Sequence, residues 1–117
     1  MRTLTIHRNG EERALAAVRH ARRWWERARG LIGRRLAAGE GMLITPCAAV
    51  HTAFMRQPLD LVFLDHQGVV VGCRERVRPY RLAWARRARH TLELAPGTIA
   101  AAGIRVGEAL RWRAAAR

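Results

Sequence analysis

Several side chains able to do chemistry fall together in residues 47–65, CAAVHTAFMRQPLDLVFLD. Cys47, His51 and Met55 are spaced by four, and a thiol, an imidazole and a thioether together make a soft-metal ligand set. Geometry argues against a shared ion: four residues of strand cover ~13 Å, more than one metal centre bridges. Only a helical turn would bring Cys47 and His51 to about 6 Å of each other, and VHTAF has little helical character. The expectation is therefore a buried thiol, a hydrogen-bonded histidine and a core methionine, with no metal and no cofactor.

Asp60 is the second problem. It lies between leucines, and in strand parity it shares a face with Val62 and Leu64 while Leu59, Leu61 and Phe63 take the other. A strand apolar on both faces is covered on both. Its carboxylate then needs backbone N–H donors, a hydroxyl or a cation, and Arg34, His51 and Thr52 are the side chains to consider. The plain reading is a buried acceptor that holds the architecture. The sharper one is a polar pocket of His51, Thr52, Met55 and Asp60, supported by Arg34 and Glu93, another acid inside an apolar strand (LEL).

Enzymatic readings find less support. The chain has no serine, so a hydrolase-like site would need Cys47 or Thr52 as nucleophile beside His51. No nucleophile elbow or phosphate-cradling loop occurs. Asp60 and Glu93 could in principle form an acid/base pair. A binding or accessory module is favoured over an enzyme.

Composition supplies the alternative. All 22 basic residues are arginine, and the formal net charge is +13. Lysine is absent and alanine abundant, so codon bias in a GC-rich genome accounts for part of the excess. The charge attracts polyanions whatever its origin. Arginines concentrate in 19–35 and 74–89, with Trp24, Trp25, Tyr80 and Trp84 interleaved. Arg22, Arg23, Arg27, Arg86, Arg87 and Arg89 could hold phosphates while the aromatics stack on bases. The plainer expectation is two solvated faces, with the tryptophans packed in the core. An acidic protein partner or an anionic membrane surface would draw on the same patches.

The elements that must position these residues are short. RTLTIHR alternates as a half-buried strand, and Asn9-Gly10 favours a tight hairpin turn. A strand over 13–19 and a helix from about residue 22, fraying near Gly33, come next. MLITP, VHTAFM, LDLVFLD, VVVGCRERV, YRLAW and HTLEL are strand candidates, PGTIAAAG a short helix ended by Gly103, and GEALRWR a last strand. The fold class expected is α+β, mainly β: a closed or half-closed barrel-like sheet with one main helix and a short C-terminal helical turn, in a single domain over residues 1–117. No apolar run approaches a membrane span, and no export signal is seen. Reduced Cys47 and Cys73 in a cytoplasm are expected.

With its segments in place, the sequence resembles domain-of-unknown-function family 192, small uncharacterised proteins of bacteria and archaea. The resemblance rests on RARGLIGRR (27–35), GML (41–43), residues 47–65, TLELAPGTIAAAGI (91–104) and VGE (106–108). It implies a compact β-rich fold with a helix near the Gly-Leu motif, and it implies no established activity. Ile32 stands where the family favours methionine, and Glu108 where aspartate is common.

Overall fold

The computed structural model describes residues 1–29, 34–53 and 55–115. The alternating segment at the N-terminus forms β1 (Arg2–Arg8), which turns at Asn9-Gly10 into antiparallel β2 (Ala14–Ala21). Gly10 takes the positive φ of 81° that this hairpin requires. Helix α1 (Trp24–Arg29) follows; the expected fraying near Gly33 lies outside the described residues. α1 has no Ser, Thr or Asp cap. Instead Glu26 reaches back, its Oε1 accepting from the backbone N–H groups of Arg22 and Arg23 at 3.1 Å each. That satisfies donors a helix start leaves free.

The chain then runs through β3 (Glu40–Ile44), β4 (Ala49–His51), β5 (Leu59–Leu64), β6 (Val70–Val77), β7 (Leu82–Trp84), β8 (His90–Leu94), α2 (Thr98–Ala102) and β9 (Leu110–Ala114). Seven strands form one curled sheet in the order β6-β5-β8-β3-β2-β1-β9, and β4 pairs with β7 in a separate ribbon. Among the described residues, only β2 and β3 run parallel. The two edges meet at one end: Val69 bridges Ala109, Val70 N–H donates to Glu108 O, and Leu110 N–H donates to Gly68 O. Gly68 has φ +83°, and a Cβ there would press into the Leu110 carbonyl oxygen. The result is a half-barrel, stitched at one point of its seam.

Strand parity divides the apolar residues between two cores. Leu4, Ile6, Val18, Leu43, Val62, Leu92 and Leu94 fill the concave interior, and Ile99 and Ile104 from α2 and its exit plug one end. Met42, Ile44, Leu59, Leu61 and Phe63 point outward, where Val50 of β4, Ala83 of β7 and Leu36 cover them. β5 and β8 are thus buried on both faces, as the apolar run LDLVFL demands.

Asp60 is completely buried on the concave face. Its Oδ2 accepts from Ile99 N–H at 2.8 Å and its Oδ1 from Arg76 N–H at 2.9 Å. Neither Arg34, His51 nor Thr52 is its partner. The carboxylate ties the first turn of α2 and the bend of β6 at Arg76 (φ 49°) to the middle of the sheet. Two charge-assisted bonds offset the burial of the charge.

The tryptophans depart from expectation. Trp24, Trp25 and Trp84 are 71%, 49% and 64% exposed rather than packed in the core. α1 lies on the surface, so its indoles have little of the sheet to cover. The two cysteines are free thiols packed against opposite cores.

Candidate functional site

Between α1, the β4–β7 ribbon and the outer face of the sheet lies a cavity of about 300 Å³. Arg27 and Ala28 come from α1, Pro46, Cys47, Ala49, Val50 and His51 from the segment into and through β4, Met55 from the turn beyond, and Ile44 and Glu93 from the sheet. The strand candidate VHTAFM shrinks to three residues, Ala49–His51, and the chain folds back after it. That turn brings Cys47, His51 and Met55 to one wall, which a straight strand could not do. Among the described residues no three His, Cys, Asp or Glu side chains are placed to hold a metal ion. Cys47 Sγ instead donates to Ala49 O at 3.1 Å.

Glu93 gives the cavity its character. It lies on β8 opposite Met42 of β3 and Leu61 of β5, so apolar side chains flank it on both sides. It is 1% exposed, and its Oε1 has no hydrogen-bond partner among the described residues. Burial pushes its carboxyl up to about 7. Arg27 is its counterpart: Nη1 donates to Pro46 O at 3.0 Å, while Nε is buried and also unpartnered among the described residues. The two groups share one cavity without pairing with each other. Orphaned buried polar atoms are rare because each costs roughly 1–3 kcal/mol.

The other expected pocket residues separate. Thr52 is a fastener: its hydroxyl donates to Arg78 O at 2.6 Å and accepts from Arg81 N–H at 2.8 Å, locking the approach to β7. Asp60 serves α2 on the opposite face of the sheet from Glu93, so the two acids do not share a site. Arg34 is exposed. His51, Met55 and Glu93 come together, joined by Arg27, which the sequence grouped with the polyanion contacts. Nothing in the sequence pairs Arg27 with Glu93, 66 residues apart; only the fold does.

A second feature lies beyond Pro46. At the end of the half-barrel opposite α2, Arg2, Arg22, Arg23, Arg89, His20, Thr45 and Trp25 line a broad open groove. Glu26, its acid, is taken up by the start of α1, and those backbone donors hold its carboxyl below the usual range. The Arg23 guanidinium lies 5.2 Å from the Trp25 ring centre. Beneath, His20 Nε2, Thr45 Oγ1 and His90 Nδ1 form a chain of 3.0 and 2.7 Å. Burial and then nearby arginines push both imidazoles down, His90 to about 4. The chain is therefore uncharged near pH 7, and the arginines supply the groove's charge. Arg86 and Arg87 stand apart, in the turn between β7 and β8.

The profile of domain-of-unknown-function family 192, described as an uncharacterised ACR family, matches residues 4–112. The chain belongs to this family. Among the solved structures that share its fold are two bacterial proteins. One, from Sinorhizobium meliloti 1021 and described as a candidate transcription regulator, aligns with a TM-score of 0.81 at 22% identity, over 95% of this chain and 92% of its own. The other, a protein of unknown function from Novosphingobium aromaticivorans DSM 12444, aligns with a TM-score of 0.77 at 24% identity, over 94% and 84%. No curated protein matches the chain. The family assignment and the half-barrel agree with the resemblance drawn from the motifs. Among the described residues, no helix is long and apolar enough to cross a membrane.

Proposed function

We propose that this family member is a small-ligand-binding module whose site is the Glu93–Arg27 cavity. One observation carries the reading: Glu93 and Arg27 line the same cavity, and each has a buried polar atom with no hydrogen-bond partner among the described residues. A polar group kept at a cost to stability, in a space large enough for a ligand, marks a site rather than a support. Asp60 shows the contrast, since each of its oxygens accepts from a backbone N–H. Native mass spectrometry of untagged protein, purified at moderate salt, tests the reading. Wild type is expected to carry a stoichiometric small-molecule mass, or to gain one from a pool of small metabolites, and Glu93→Met to carry none. A bare mass for both proteins after incubation with the pool contradicts it.

The arginine groove supports a second reading, a sequence-tolerant contact for single-stranded nucleic acid. Four arginines, one with its guanidinium against a half-exposed tryptophan, combine backbone charge with a stacking surface. The likeness to the Sinorhizobium protein adds nothing here, because at that identity it carries the fold alone.

A further inference from the structure

The chemistry of the cavity wall narrows its occupant. The titratable groups around Glu93 are Arg27 from α1 and Cys47 and His51 from the segment into β4. From the sheet, the cross-strand neighbours Met42 and Leu61 are apolar, and among the described residues no second carboxylate lines the wall. An ammonium ligand would therefore face a permanent cation with one acid to hold it. An anion meets the reverse. Arg27 Nε–H is a charged donor with no acceptor among the described residues, and a carboxyl buried among apolar side chains favours its neutral form, whose O–H is a second donor. Ile44, Val50, Met55 and Ala28 add apolar surface to the wall.

We infer that the cavity takes a small monocarboxylate with an apolar body, one oxygen accepting from Arg27 Nε–H and the other from the protonated carboxyl of Glu93. The inference rests on the reading of the cavity as a ligand site. No proton needs to leave either partner: Glu93 keeps its hydrogen and shares it in a hydrogen bond, and Arg27 balances the ligand's charge. A carboxylate suits both groups, because each of its two oxygens can accept a hydrogen bond.

The inference carries a pH signature. Glu93 titrates at about 7, so the binding-competent, protonated form is depleted above that value. Affinity for a carboxylate should fall about tenfold between pH 6 and pH 8, following the protonated fraction of one acid. An ammonium ligand would show the opposite trend. Isothermal titration of the whole untagged protein with cyclohexanecarboxylate, and with cyclohexylmethylamine as a cation of similar bulk, separates the cases. The carboxylate should bind with that dependence. Glu93→Gln, whose amide still donates, should retain binding and lose the pH dependence, and Arg27→Gln should weaken binding at least tenfold. Circular dichroism checks that each variant is folded.

Carboxylate affinity that ignores Arg27→Gln, or keeps the pH dependence in Glu93→Gln, overturns the inference. Tighter binding of the amine, rising with pH, overturns the ligand class and leaves the site intact. If neither probe binds and the native mass is bare, both the class and the site are lost.

Discussion

Glu93 and Asp60 are acids in adjacent strands with opposite fates. Asp60 has a backbone donor on each oxygen, whereas Glu93 has apolar neighbours and lines a cavity. The difference is measurable. In a carbon-detected NMR titration the Glu93 carboxyl should change charge near pH 7, well above an exposed glutamate. A midpoint below about 5.5 would reveal a partner that the structure does not contain. The stability consequence has a definite sign. Between pH 4.5 and about 7 the folded chain keeps the Glu93 proton and the unfolded chain has lost it, so stability falls as pH rises through that window. A shift from 4.5 to about 7 amounts to ~3 kcal/mol. His90, pushed down to about 4, acts oppositely from pH 4 to 6.5, so the two partly cancel in wild type. The difference between Glu93→Gln and wild type isolates the acid. It should grow in favour of the variant up to about pH 7 and then level off.

At the scale of elements, α2 depends on a residue 39 positions away. Asp60→Ala leaves the N–H groups of Ile99 and Arg76 without their acceptor in a closed interior. The expected cost is ~3–5 kcal/mol, seen as a lower urea midpoint. A loss under about 1 kcal/mol would mean that α2 docks without it. Most elements were legible because their signals are local: alternation in β1, Asn9-Gly10 at the first hairpin, and Gly103 ending α2 with a left-handed φ of 65°. The buried run LDLVFL also gave Asp60 its face. What escaped depends on tertiary placement. The start of α1 shows no capping residue in the usual place, because Glu26 supplies the acceptor from inside the helix. The tryptophans were expected in the core, yet Trp24 and Trp25 of α1 stand exposed. His20, Thr45 and His90 have no common signal in the sequence, since the end of the barrel alone gathers them.

For the whole molecule, the charge of +13 is concentrated usefully where four arginines line one groove. If these four hold single-stranded phosphates, affinity for a mixed-sequence oligonucleotide should fall about 50-fold between 50 and 200 mM salt. Replacing Arg22 and Arg23 with alanine should then flatten the salt slope by about 1.4, while Arg86→Ala with Arg87→Ala leaves it unchanged. Equal effects from both pairs, read by fluorescence anisotropy, would reduce the groove to diffuse charge. The cavity and the groove share Pro46, so the two sites are neighbours. Their tests nonetheless separate cleanly: the cavity responds to Glu93 and pH, the groove to arginine number and salt.

The central claim is that Glu93 is retained for a ligand at the expense of the fold. Urea denaturation of wild type and Glu93→Met at pH 7.5, both without ligand, tests it most directly. Methionine is unbranched, of similar length and at home beside Met42, so it removes the buried charge with little change in volume. The variant should be more stable by ~1–3 kcal/mol. A variant less stable than wild type by 1 kcal/mol or more would show that the carboxyl supports the architecture, and the cavity would lose its claim to be a site.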